Sequence, residues 1–208
     1  VVFGGPSPEH DISILTGLQA ARLLARDGAT PICLYWTKTG EWLRVPAELE
    51  AVAFTEPTVA GSTPVELAVP GGFSEKGRLR AKQLEIDVVL NCCHGGPGED
   101  GALGALLQLA GLRVTGPHPE ACALAMDKLA TAATAKALGV PTMTTLPVTA
   151  TTKEIDLDTP WVVKPRFGGS SIGVQVGVED VETARALAAK GPFVAQRYLE
   201  GWHDVNVS

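Results

Sequence analysis

No run of lysines or arginines occurs in this 208-residue chain, and 17 basic side chains stand against 23 acidic ones, for a formal net charge of -6. A nucleic-acid footprint built on clustered cations and counterion release is therefore not expected. No uninterrupted apolar stretch reaches the ~18 residues that a bilayer crossing needs, and the chain does not open on a basic segment followed by an apolar one. A membrane is thus not an expected partner, and the expected location is the cytoplasm. The four cysteines, Cys33, Cys92, Cys93 and Cys122, have no repeated spacing. That pattern speaks against a disulfide scaffold or a zinc site and for reduced, partly buried thiols. Internal repeats and low-complexity tracts are also missing. What is present is a 45% hydrophobic, 19% charged composition, which predicts a folded α/β protein of one domain or two modest ones.

Val1-Val2-Phe3 runs straight into Gly4-Gly5, which reads as the end of a strand whose start lies outside the chain. Segments 193–199 and 205–208 read as strands with nothing closing them, so a fragment or an incompletely represented polypeptide is expected. Between these ends, Ile14, Leu15, Leu18, Ala21 and Leu24 recur at helical spacing and predict a helix over 12–24. Segment 31–36 reads as a strand, completing the strand, glycine turn, helix, strand order of a parallel α/β domain. Hairpins and loops are expected over 37–77, a buried parallel strand over 86–93, a helix over 101–110 and an edge strand over 112–115. Gly116-Pro117-His118-Pro119 punctuates the chain as a domain boundary. Beyond it the pattern predicts a helix over 127–138, a loop containing Pro141 and Pro147, and a strand over 161–164. A hairpin partner over 172–176, a helix over 179–190 and the 193–199 strand follow, forming a separate α+β domain.

Three segments carry the chemistry. Gly4-Gly5-Pro6-Ser7-Pro8-Glu9-His10-Asp11 joins a strand to a helix, where ligands collect in parallel α/β folds. It lacks the three spaced glycines of a dinucleotide fingerprint. It reads either as a tight turn with Asp11 complementing the helix start or as a site whose Glu9 carboxylate holds a substrate ammonium. His94-Gly95-Gly96-Pro97-Gly98-Glu99-Asp100-Gly101 places a histidine and four glycines after a strand and before a helix begun by Glu99 or Asp100. N-H groups at such a start suit an anionic substrate group, and equally His94 could be a buried hydrogen-bonding residue with Asp100 a cap. Lys164-Pro165-Arg166-Phe167-Gly168-Gly169-Ser170-Ser171-Ile172-Gly173 sends a lysine out of a hydrophobic strand into a loop of hydroxyls and backbone donors. Those are the ingredients for phosphate oxygens, although the lysine precedes the loop, unlike Walker A; the alternative is a surface hairpin with an exposed lysine. Lys128 opens a helix behind Asp127, a first-turn acid or cap, against the helix dipole, a placement that asks for an anionic neighbour.

The glycine turn with Glu9, the segment 94–101, Met126-Asp127-Lys128 and the segment 164–173, in this order and spacing, resemble the D-alanine–D-alanine ligase family of ATP-grasp enzymes across nearly the whole chain. The resemblance implies a Rossmann-like N-terminal substrate domain over 1–118 and an ATP-grasp central domain over 119–195. Residues 196–208 would begin a C-terminal domain that the chain largely lacks. It also implies the reaction: ATP phosphorylates the carboxylate of one D-alanine, and the amine of a second displaces phosphate, leaving D-alanyl-D-alanine and ADP. Such chemistry calls for magnesium and for cations around the moving phosphoryl group.

Carried over by the resemblance, Glu9 would fix the first ammonium, with Ser13 assisting and His94 beside the carboxylate. Lys128 and Lys164 would hold phosphates, and Ser170 and Ser171 would close on the nucleotide and the acyl phosphate. Gln196, Arg197 and Leu199 would border the nucleotide. Trp161 and Val163 would be its apolar neighbours or ordinary core. The metal ligands are expected in the absent domain, and a homodimer is expected by family analogy. Three positions depart from the family: Gln196 stands where a glutamate usually meets adenine, His203-Asp204 where a glutamate lies near the ribose, and Gly168 where an acid precedes the glycine-serine pair. These departures leave open a ligase of another amino acid or amine, as in secondary metabolism, or a nucleotide-binding relative without ligase activity.

Overall fold

Neighbouring residues of the first strand serve two different cores in the computed structural model, which describes residues 1–75, 81–203 and 205. Val2 packs with Leu34, Phe73, Leu103 and Leu107, whereas Phe3 packs with Ile14, Leu18, Cys33 and Tyr35. This is strand alternation with both faces covered. The chain divides into two units, Val1–Ala123 and Leu124–Ser208.

In the first unit the elements run β1 (Val2–Gly4), α1 (His10–Arg26), β2 (Cys33–Trp36), β3 (Trp42–Val45), a 3-10 turn (Ala51–Phe54), β4 (Thr63–Ala68), β5 (Gly72–Glu75), β6 (Lys82–Gln83) and α2 (Ala102–Leu109). The sheet order is β1-β2-β3-β4-β5-β6. β1 and β2 are parallel, and the remaining pairs are antiparallel hairpins, as the turn-rich composition of 37–77 anticipated. Helix α1 presents Ile14, Leu18 and Ala21 to the sheet, while Leu15 and Leu24 face outward. Gly17 is the point of closest approach: a Cβ there would fall on the Phe3 side chain.

The strand expected over 86–93 is reduced to single parallel bridges, Val2 with Asn91 and Val89 with Val114. Hydrogen bonds from Val2 N to Leu90 O (2.9 Å), Cys92 N to Val2 O (2.8 Å) and Val89 N to Arg113 O (2.7 Å) hold the segment between β1 and 113–115. Val88 is 53% exposed, so the continuous apolar run overstated its burial. A helix forms where none is expected, α3 (Pro119–Met126). Pro119 is its first residue, where the missing N-H costs nothing.

The second unit contains α4 (Lys128–Ala137), β7 (Leu146–Val148), β8 (Trp161–Pro165), β9 (Gln175–Val178), α5 (Val181–Ala188) and β10 (Phe193–Arg197). Its antiparallel sheet has the order β7-β10-β8-β9. β7 lies in the segment expected to be a loop, and its edge position accommodates Pro147. The partner strand of the hairpin forms over 175–178 instead of 172–176, because Ile172 and Gly173 belong to the turn. β10 ends at Arg197, two residues earlier than expected. Of the strand expected over 205–208, 206–208 lie outside the described residues and Val205 has no regular structure.

Register separates the two faces of this sheet. Trp161, Val163, Phe193 and Ala195 share a core with Ala184 and Ala188 of α5. Lys164, opposite Val194, and Gln196, opposite Val162, alternate to the other face. Trp161 and Val163 are therefore core residues, on the side away from Lys164. Among the described residues no helix is long and apolar enough to cross a membrane.

Candidate functional site

The first cluster of polar groups gathers where β1 ends and α1 begins. Gly4 and Gly5 both have positive φ, 92° and 93°, a region open to glycine without strain. Gly5 N donates to Trp36 O at 2.7 Å. His10 is buried, with Nδ1 2.6 Å from Gly5 O and Nε2 2.9 Å from the Tyr35 hydroxyl. A carbonyl only accepts, so Nδ1 is the donor to Gly5, and Nε2 pairs with the Tyr35 hydroxyl. Ser13 is wholly buried: its Oγ accepts from Gly4 N at 2.7 Å and donates to Cys92 O at 2.8 Å. Its hydroxyl clamps β1 to the 88–92 segment.

The turn 94–101 closes on this cluster. Glu99 accepts from Gly95 N at 2.7 Å, and Asn91 donates to Gly98 O at 2.9 Å while accepting from Cys93 N at 3.0 Å. Gly95, at φ 70°, lies so near the first turn that a Cβ would meet Ser7 Oγ and come within 3.3 Å of Glu9 Oε1. His94 Nε2 is 2.9 Å from Thr16 Oγ1, and the Thr16 hydroxyl donates to Ile12 O at 3.1 Å, so Nε2 is the donor to Thr16. Helix α2 starts at Ala102, later than Glu99 or Asp100, and Asp100 Oδ1 accepts from Ala102 N at 2.9 Å. Glu9 and His94 are thus held around one pair of turns by Ser7, Ser13, Thr16 and Gly95. His10 and Thr16 carried no signal in a one-dimensional reading, because Tyr35 and His94, which they meet, lie 25 and 78 positions away.

In the second unit the two lysines converge. Lys128 Nζ donates to Gly168 O at 2.6 Å, and Lys128 N donates to Arg166 O at 3.0 Å. Burial holds the Lys128 ammonium below its usual pKa, and the positive charge of Lys164 adds to the effect. Lys164 is lowered by burial as well. Two half-buried cations, one close enough for its charge to be felt by the other, form a ready receptor for a polyanion. Beside them Ser170 and Ser171 both adopt left-handed φ, 51° and 55°, a costly conformation for non-glycine residues that concentrates at ligand clamps. Gly168 has φ 94°, a conformation that suits glycine better than an acid.

Gln196 donates to Thr145 Oγ1 at 2.8 Å on the Lys164 face of the sheet. Arg197 lies on the opposite face, in an exposed pair with Asp158 at 3.3 Å. Arg197 and Leu199 line a cavity of about 510 Å3 with Met143, Thr144, Ile155 and Leu157. The residues expected around the nucleotide are therefore split: Lys128 reaches the loop that follows Lys164 and leads to Ser170 and Ser171, Gln196 shares the Lys164 face, and Arg197 with Leu199 lines the separate cavity. His203 is exposed, and Asp204 lies outside the described residues.

Asp127, absent from the expected site residues except as a cap, joins two elements of this unit. Its Oδ1 accepts from Leu129 N (3.0 Å) and Ala130 N (3.2 Å), capping α4, and both its oxygens receive the Arg166 guanidinium. The Arg166 hydrogen bonds hold its carboxyl below the usual range. Among the described residues no three His, Cys, Asp or Glu side chains group as metal ligands, so no metal is placed on these side chains. All four cysteines are free.

Comparison with known proteins identifies the family. The family described as "D-ala D-ala ligase N-terminus" matches residues 1–117. D-alanine–D-alanine ligase of Nitratiruptor sp. is 33% identical over 216 residues, covering 100% of this chain and 61% of the relative. That of Wolinella succinogenes is 31% identical over 214 residues with the same coverage. The Helicobacter pylori D-alanine–D-alanine ligase crystal structure superposes with a TM-score of 0.84 at 27% identity, over 96% of this chain and 63% of that one. VanG D-Ala:D-Ser ligase of Enterococcus faecalis gives 0.75 at 27%, over 96% and 62%. The chain thus spans about 61% of the length of the curated relatives named here. It belongs to the D-alanine–D-alanine ligase family of the ATP-grasp superfamily.

Proposed function

We propose that the protein works as an ATP-dependent D-alanine–D-alanine ligase, and the observation that carries the reading is that Lys128 is tied, through Gly168 O and Arg166 O, to the loop that leaves Lys164 and holds the strained Ser170-Ser171 turn. In this reading the first unit is the Rossmann-like substrate domain, and the second belongs to the ATP-grasp nucleotide domain, with boundaries near 118 and 195. Glu9 pairs with the ammonium of the first D-alanine, and His94, oriented by Thr16, sits beside its carboxylate. A carboxylate oxygen attacks the γ-phosphorus, the bond to the β-phosphate oxygen breaks, and its electrons leave with ADP. The amine of the second D-alanine then forms the C–N bond, phosphate departs with the acyl oxygen, and the amine loses a proton. Lys128 and Lys164 hold phosphate oxygens and offset the charge that moves between them. Magnesium bound with the triphosphate would supply further charge neutralisation, and among the described residues no cluster of His, Cys, Asp or Glu side chains groups to hold it. The protein is expected to act in the cytoplasm as a homodimer.

A second reading, a ligase with a different second substrate, is favoured by the equal 27% identity to a solved D-Ala:D-Ser ligase and by Gln196. Product mass spectrometry over a panel of amino acids with the intact protein, ATP and magnesium separates the two. D-alanyl-D-alanine as the main product supports the first reading; a mixed dipeptide supports the second. Absence of any amino-acid-dependent product would overturn both.

A further inference from the structure

We propose that the Asp127–Arg166 ion pair is a positioning latch that fixes Lys128 and Lys164 side by side as a single two-cation phosphate clamp. The proposal rests on the nucleotide reading above and adds to it the residues that set the clamp.

Asp127 immediately precedes Lys128, and Arg166 follows Lys164 by two residues. One ion pair therefore ties the segment carrying the first lysine to the strand end carrying the second. The contact is a fork: Nε donates to Oδ1 at 2.7 Å, and the second guanidinium nitrogen donates to Oδ2. Such bidentate pairing fixes orientation as well as distance. The backbone completes the loop, with Lys128 N on Arg166 O (3.0 Å) and Arg166 N on Pro192 O (2.9 Å), the latter anchoring the fork just ahead of β10. The guanidinium carbon also lies 5.2 Å from the Phe167 ring centroid, within cation–π range.

Electrostatics give the latch a purpose. Lys128 and Lys164 carry like charges in a half-buried setting, so holding their segments together works against repulsion. Asp127 and Arg166 cancel each other's charge, so the four side chains sum to two net positive charges aimed at a polyanion. Asp127 is buried and uses one oxygen for the α4 cap as well, so the same carboxylate sets the helix start, the fork and the placement of Lys128. A mobile clamp would lose affinity to ordering cost without losing its charges.

The test uses the intact protein, ADP as the probe in calorimetry, and steady-state kinetics with ATP. Three variants serve: Arg166→Ala, Arg166→Lys and Asp127→Asn, the last keeping an oxygen for the cap while removing the carboxylate fork. Expected are an ADP Kd and an ATP KM raised about tenfold in Arg166→Ala and Asp127→Asn, with kcat within about threefold. Arg166→Lys, which keeps the charge but not the fork, should recover part of the loss. Unchanged Kd and KM in both variants would overturn the latch. So would a fall in kcat and thermal midpoint at unchanged KM, which marks a purely structural pair. Failure of the unsubstituted protein to bind ADP would overturn the nucleotide reading itself, and the latch with it.

Discussion

Replacing Ser13 by alanine separates the role that the fold gives this residue from the role that family resemblance suggests. The Ser13 hydroxyl accepts from Gly4 N and donates to Cys92 O in a wholly buried position. Alanine leaves the Gly4 N-H without that acceptor and the Cys92 carbonyl without that donor. An unsatisfied buried N-H costs about 1–3 kcal/mol, and the carbonyl, with a second lone pair, adds less. A total near 3 kcal/mol lowers the midpoint of thermal unfolding by roughly 6–12 °C for a chain of this size. Calorimetric unfolding of parent and variant measures the shift, and the KM for D-alanine, taken well below either midpoint, measures the site. The clamp predicts a large midpoint shift with KM within about threefold. A midpoint within about 1 °C of the parent together with a strongly raised KM would show the hydroxyl engaged with substrate and refute the clamp.

Three further outcomes follow from the same geometry. Gly95→Ala places a Cβ against Ser7 Oγ and near Glu9 Oε1 at a positive φ, so amino-acid KM should rise by about tenfold or more, since the strained turn displaces Glu9; unchanged kinetics would show the turn to be remote from the site. Burial holds both lysines below the ordinary 10.5, and a bound phosphate group would raise them again. ADP affinity should therefore be greatest while both are protonated and fall as pH rises through these lowered values, with a shallower fall in Lys164→Ala; calorimetry across the alkaline range checks the sign. Cys93 is pushed up to about 12, chiefly by burial, and Cys33 and Cys92 are raised for the same reason. A thiol reagent on the native protein should modify Cys122 first, as peptide mapping would reveal, and early modification of Cys93 would contradict its placement.

Much of the candidate site was legible because its residues sit in short segments with distinctive chemistry. Lys164 leaves a hydrophobic strand into glycines and serines, and Lys128 opens a helix behind a capping acid; local order alone marks both. The residues that set their positions were hidden, because Asp127 and Arg166 meet across 39 positions of chain and His10 meets Tyr35 across 25. Proline is ambiguous in a one-dimensional reading: Pro119 opens a helix, since the first helical position tolerates it, and Pro147 lies in β7 where a loop is expected, since β7 is an edge strand. The hydrophobic run at 86–93 suggested a buried strand, but its periodicity could not show that Val88 would be left exposed. Arg197 follows Gln196 directly, yet strand alternation sends the two side chains to opposite faces.

The central claim is that Lys128 and Lys164 hold the phosphates of ATP for amino-acid activation. The most direct test is D-alanine-dependent release of phosphate from ATP by the intact protein and by Lys164→Ala, measured side by side with folding monitored by circular dichroism. The account predicts release that depends on D-alanine in the parent, and a loss of about a hundredfold or more in kcat/KM for a folded variant, as expected when a charge facing the transferring group is removed. Equal turnover in parent and variant would contradict it.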